Sequence, residues 1–164
     1  MEIDVLIEDD RWSDELVVLA ERACTAALSH LNVPEGAEMC VMGCNDARIA
    51  ELNAEFREKD KATNVLSWPA TDLAAETDGD MPDAPEPDFP EMPIELGDIA
   101  ISYDTCMAEA DQQGKEFANH VVHLLVHGTL HLLGFDHIRP QDGDLMERLE
   151  TEILATLGIA DPYE

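Results

Sequence analysis

His127 and His131 stand four residues apart in the stretch His120 to His137, HVVHLLVHGTLHLLGFDH, which holds five of the six histidines of the chain. On a helix, residues at i and i+4 project from one face, with their rings about 6 Å apart along the axis, so both can meet one ion. Gly134 supplies the residue able to adopt the left-handed conformation that ends such a helix. The chain can then turn back after Phe135 and bring His137 to the same ion, giving three nitrogen ligands at about 2.0 to 2.1 Å and a fourth position for water. Neutral imidazoles make zinc the first choice of metal, with nickel, copper or iron able to use the same ligands. The chemistry expected of such a centre is hydrolysis, because zinc lowers the pKa of its water to about 7.

His123 competes for the ion, since His123, His127 and His131 form one helical stripe. It loses on distance: eight residues of helix rise about 12 Å, too far for all three to share one ion. His120 and His123 are therefore read as hydrogen-bonded histidines on a packed helix, and His30 as a histidine near a helix end with no role in the site. Asp136 is a candidate carboxylate for orienting a ligand imidazole, the alternative being an exposed turn residue. The HxxxHxxGxxH spacing is that of metzincin proteases, whose general-base glutamate directly follows the first histidine. Gly128 occupies that position here, so peptide hydrolysis is disfavoured.

The elements that must position these residues follow from periodicity. Ile3, Val5 and Ile7 alternate as a first strand, and Ser13 is the expected cap of a helix running to about Leu31. Glu38 to Met42 read as a second strand. Asn45 caps a helix from Asp46 to about Arg57 that carries Ile49, Leu52 and Phe56 on one face. Asn64 to Trp68 form a third strand ended by Pro69, and Leu96 to Ser102 a fourth that pairs with it as a long hairpin. Helices at about Tyr103–Gln112, Glu116–Leu133 and Asp142–Leu157 complete the order β-α-β-α-β-β-α-α-α. The expected architecture is a single α+β domain, residues 1–164, in which about five helices pack on a small mixed sheet.

Composition narrows the setting. A chain of 164 residues should bury roughly 70% of its unfolded surface, so no metal is needed merely to fold it, and a metal here is functional. No stretch of about 18 apolar residues and no basic, then apolar, leader is present, so the expectation is a cytoplasmic protein with no membrane partner. In that reducing compartment Cys24, Cys40, Cys44 and Cys106 are expected as free thiols, with Cys40 and Cys44 read as core packing. Between Thr71 and Glu95 lie nine acidic and no basic residues; without them the formal charge of −28 becomes −19. Five prolines and no apolar periodicity make this segment an expected flexible acidic loop. The acidity opposes nucleic acid at long range. Screening beyond roughly 8 Å nonetheless lets a few cations beside a phosphate outweigh distant carboxylates.

The motif HGTLHLLGFDH, from His127 to His137, resembles the signature of the YbeY family of bacterial endoribonucleases. LNAEFREKDKATNVLSWP from Leu52, LGDIAIS from Leu96 and MERLETEILATLGIADPY from Met146 are also similar to that family, so the resemblance spans nearly the whole chain apart from the acidic loop. It implies a small α+β metalloenzyme with one zinc ion on His127, His131 and His137, and no nucleotide cofactor. It further implies cleavage of single-stranded RNA in maturation of the small-subunit rRNA 3′ end and in ribosome quality control, with ribosomal particles or proteins as partners. It also implies a functional arginine, which matches Arg57. The residues agree: Arg57, Lys59 and Lys61 form the dense basic cluster of an acidic chain, and a guanidinium can hold a phosphate by two hydrogen bonds. The expected division of labour gives the metal and its water the nucleophile and gives Arg57 the developing phosphate charge. Two alternatives stay open: a zinc hydrolase of peptides or amides with a distant base such as Asp98, and an assembly factor whose zinc is structural and closed by a fourth ligand such as a cysteine thiolate.

Overall fold

The computed structural model describes residues 1–57, 61–87 and 89–163, with the Arg57 side chain excepted. The chain runs β1 (Glu2–Ile7), α1 (Glu15–His30), β2 (Ala37–Cys44), α2 (Asp46–Arg57), β3 (Val65–Pro69), β4 (Ile94–Ser102), α3 (Tyr103–Gln113), α4 (Phe117–Leu132) and α5 (Pro140–Thr156). The expected α+β order therefore holds, with helix ends displaced by one or two residues, as fraying ends usually are. The four strands form one mixed sheet in the order β1-β2-β4-β3. β1 and β4 flank β2 in parallel, and β3 pairs antiparallel with β4 from Val65 opposite Ile101 to Pro69 opposite Gly97. This is the long hairpin read from the sequence. Pro69 lies at the end of an edge strand, where its missing N–H breaks no central ladder.

Helices α1 and α4 bury their apolar sides in one core with the sheet. Leu16, Ala20, Ala23 and Ala27 of α1 are fully buried, as are Val121, Val122, Leu125, Val126 and Leu130 of α4. At the start of α2, the Asn45 side chain accepts from Arg48 N at 2.9 Å, so the cap read from the sequence is made. Ile49 and Leu52 of that helix are buried, whereas Phe56 remains 57% exposed and meets Trp68 edge-on.

Ser13 keeps part of its expected capping role, its hydroxyl accepting from Glu15 N at 3.4 Å, but it does not take the N-cap position. It has φ 51° and follows a short 3-10 turn at Asp10–Trp12, and Asp14 takes the N-cap position of α1. Trp12 is the reason: its indole N–H donates to the Cys44 carbonyl at 3.0 Å, and its ring packs against Tyr103 and Phe117. Sinking that ring into the core forces the chain to turn at Ser13 before the helix can begin.

The acidic segment runs only to Pro93, since Ile94 and Glu95 open β4, and residues 71–93 contain no helix or strand among those described. Its first part is tied to the start of α5. Arg139 donates to the Ala75 and Glu76 carbonyls at 2.7 and 2.8 Å, and Asp142 accepts from Gly79 N at 2.8 Å. No described helix is long and apolar enough to cross a membrane.

Gly97 allows the β3–β4 hairpin to bend where β4 slips register against β2. Its φ is +134°, and a Cβ there would lie 2.1 Å from the Trp68 carbonyl oxygen. Gly97→Ala is expected to destabilise the fold by about 2 kcal/mol or more, from strain plus backbone overlap, as read by urea unfolding. Unchanged stability would show that the hairpin relaxes without cost.

Candidate metal centre

Helix α4 positions two of the three histidines and its exit turn the third. The helix is rotated so that its apolar residues face α1 and the sheet, which leaves His127 and His131 half-buried on the other side. Gly128 sets the approach to the sheet, because a Cβ there would already be 3.0 Å from Ile99. The position that carries a general-base glutamate in metzincins therefore faces the core here. Past Leu132 the chain reverses at Gly134, φ +99°, where a Cβ would meet the Leu73 backbone at 2.8 Å. His137 is delivered from this turn and is exposed.

The ligand atoms of His127, His131 and His137 all lie within 4.8 Å of one another, an arrangement able to hold a metal ion. Their ring centroids are 4.5 Å apart for His127 and His131, 5.5 Å for His127 and His137, and 5.2 Å for His131 and His137. Tautomers decide whether the donor set fits. His131 Nδ1 donates to the Phe135 carbonyl at 2.9 Å, and a carbonyl can only accept. His127 Nδ1 donates to the Glu150 carboxylate. Both protons thus sit on Nδ1, and the two Nε2 lone pairs face each other at 3.0 Å. Two facing lone pairs repel unless a cation lies between them, so these residues fit a metal.

Glu150 was not anticipated from the sequence. It is fully buried on α5, and its carboxylate accepts from His127, from His123 Nε2 at 3.1 Å and from the Tyr163 hydroxyl. Burial by itself raises its pKa; the hydrogen bonds from His123 and His127, with smaller help from Tyr163, reverse this and hold it at about 2. The orienting role considered for Asp136 falls to Glu150 and the Phe135 carbonyl, because the Asp136 carboxylate caps its own turn through His137 N at 2.7 Å. A glutamate that looks like any other in MERLETEIL gives no local signal; only its place on the buried face of an amphipathic α5 could have marked it.

The remaining candidates separate cleanly. His123 stays outside the triad, His120 pairs with Glu109 at 3.0 Å, and His30 with Glu152 at 3.1 Å. Asp98 lines a cavity with Asp4, Glu38 and Trp68 that borders none of the three ligands. All four cysteines are free, and among the described residues none joins the cluster as a fourth ligand. A cleft of about 480 Å³ opens beside His131 and His137, bordered by Ser67 and Pro69 of β3 and by Thr71–Ala74. Arg57 is the last residue of α2, with its side chain outside the described residues, as is Lys59; Lys61 is exposed.

Residues 3–158 match the family model described as Endoribonuclease YbeY. The chain belongs to the YbeY endoribonuclease family. It is 60% identical over 164 residues to the protein named Endoribonuclease YbeY of Ruegeria pomeroyi, covering 99% of this chain and 98% of that one. It is 56% identical to the protein of that name from Cereibacter sphaeroides, with 98% of each covered. The solution structure of TM1509 from Thermotoga maritima shares the fold, with a TM-score of 0.56, 19% identity and 99% of each chain covered.

His131 has a pKa lowered to about 4, first by burial and next by the charge of His127. Between about 4 and the ordinary 6.5 the unfolded chain therefore binds the proton that the folded chain refuses, so stability contributed here is complete above 6.5 and is lost as pH falls toward 4. In metal-free protein, His131→Asn is expected to flatten that part of the stability–pH curve measured by denaturant unfolding. An unchanged slope would remove His131 as its source.

Proposed function

We propose that this chain is a zinc-dependent, single-strand-specific endoribonuclease that acts in maturation of the small-subunit rRNA 3′ end and in ribosome quality control in the cytoplasm. The observation that carries the reading is the convergence of His127, His131 and His137 within 4.8 Å in a chain of the YbeY endoribonuclease family. Zinc is favoured because three imidazoles, two of them with Nδ1 protons fixed by hydrogen bonds, present the nitrogen donors it prefers. When bound, such an ion supplies Lewis-acid polarisation of a phosphoryl oxygen and an activated water.

The chain's own residues do the rest. Glu150 and the Phe135 carbonyl hold two imidazoles in the tautomer that leaves Nε2 free. The cleft beside His131 and His137 admits substrate next to the triad. Arg57 is assigned the phosphate, which its planar guanidinium can grip by two hydrogen bonds while charge develops on it. Metal content and cleavage of a fluorescent single-stranded RNA, measured on wild type, His131→Ala and Arg57→Ala, test this. About one zinc and cleavage in the wild type, loss of both in His131→Ala, and retained zinc with cleavage lowered about 100-fold in Arg57→Ala are expected. Zinc without RNA cleavage in the wild type would overturn the nuclease reading, and full activity of Arg57→Ala would remove that residue from the mechanism.

With nine lysines and arginines against 37 acidic residues, the molecule as a whole repels phosphate. The substrate is accordingly brought by a ribosomal particle or ribosomal protein rather than by bulk attraction. The isolated protein should bind RNA weakly and with a shallow salt dependence, about −0.7 in log–log slope per phosphate contacted. Tight binding of free RNA at physiological salt would refute delivery by a partner.

A further inference from the structure

Tyr163 lies four residues beyond the last hydrophobic residue of the tail that packs on the core, Ile159, yet its hydroxyl returns to the buried carboxylate behind the metal cluster. Two contacts fold the tail back. Asp161 accepts from Tyr163 N at 2.8 Å and from the Thr151 hydroxyl of α5 at 3.3 Å. The Tyr163 ring then stands edge-on to His123, with centroids 5.8 Å apart. Although Tyr163 is 48% exposed, its polar end reaches an acid with no exposure at all.

The two oxygens of Glu150 have different duties. Oε1 faces the Nδ1–H of His127, one of the three clustered imidazoles. Oε2 takes both remaining donors, His123 Nε2 and the Tyr163 hydroxyl. A carboxylate is planar, so fixing Oε2 from two directions also fixes where Oε1 points. Burial and donation to Glu150 push the pKa of Tyr163 up, so the phenol keeps the proton it donates. With His123 alone on Oε2 the plane of the carboxylate is held from one direction fewer, and the partner of the His127 imidazole is less firmly fixed.

We propose that Tyr163 is a positioning residue for the metal centre, acting through Glu150 on His127, so that the C-terminal tail is a working part of the site. The proposal rests on the metal reading above. It explains why His123 lies beside the cluster without joining it: it shares with Tyr163 the task of holding the acid that holds the ligand.

The test uses the full-length protein and Zn2+ alone. Zinc affinity by competition with a chromophoric chelator, the absorption spectrum of the Co2+-substituted protein and thermal unfolding of the metal-free form are measured for wild type, Tyr163→Phe, Glu150→Gln and the double variant. Tyr163→Phe keeps the ring on His123 and deletes only the hydroxyl. It is expected to weaken zinc binding about tenfold, the lower end for residues that orient a ligand, and to alter the Co2+ bands, while the metal-free form still unfolds cooperatively with its Tm lowered by only about 2 to 4 °C, the loss of one hydrogen bond. In the Glu150→Gln background, itself weakened about 10- to 100-fold, removing the hydroxyl should cost no further affinity, because the two residues act as one unit. Equal losses in both backgrounds would mean that the tail acts by some route other than Glu150, and wild-type affinity in Tyr163→Phe would overturn the proposal outright. A wild type that binds no zinc overturns the metal reading itself, an outcome told apart from the others by the absence of any affinity to compare.

Discussion

The structure hangs on how α4 is buried. Val121, Val122, Leu125, Val126 and Leu130 have no exposure, so the rotation of the helix about its axis is set by the apolar contacts they make with α1 and the sheet. Once that rotation is set, the stripe of His120, His123, His127 and His131 must point the other way, His120 toward α3 and the rest toward α5 and the turn that follows. Each histidine in the stripe then meets a polar partner, with Glu150 serving both His123 and His127. His120 and His123 meet carboxylates, and His131 meets a carbonyl. Only His127 and His131, with His137 from the turn, are left with nitrogens that face one another.

Burial makes that arrangement rigid as well as costly. Glu150 has no exposure, and a lone charge there would be strongly disfavoured. Three donors compensate it, and in doing so they cross-link α4, α5 and the C-terminal tail around one carboxylate. The same low-polarity setting keeps His131 neutral, the form a metal ligand requires. Stability and function therefore draw on the same contacts: the bonds that let an acid be buried are those that fix a ligand's tautomer.

The acidic insertion shows a different economy. It contributes no strand or helix among its described residues, yet the backbone at Ala75 and Glu76 accepts from Arg139, two residues beyond His137. Leu73 lies against Gly134 at the reversal of the chain. A segment whose composition alone predicts solvation thus borders the cleft beside the cluster. The acidic segment and the end of α4 thus meet at the metal-site turn.

Local patterns in the sequence determined the element order, the hairpin of β3 with β4, the Asn45 cap and the three clustering histidines. Periods of two and 3.6 report which residues face the core, and an i, i+4 pair followed by a left-handed glycine is itself a geometric statement. What required contacts between distant segments was not legible. Glu150 comes from a helix 23 positions after His127, Tyr163 from the tail, and the turn at Ser13 from a tryptophan drawn against Tyr103 and Phe117. Asp136 beside the ligands in sequence proved to cap its own turn, while a residue far away took its expected place. The reason is physical: periodicity records how one segment meets a generic interior, whereas the partner of a buried polar group is chosen by whichever chain the tertiary packing brings within about 3 Å.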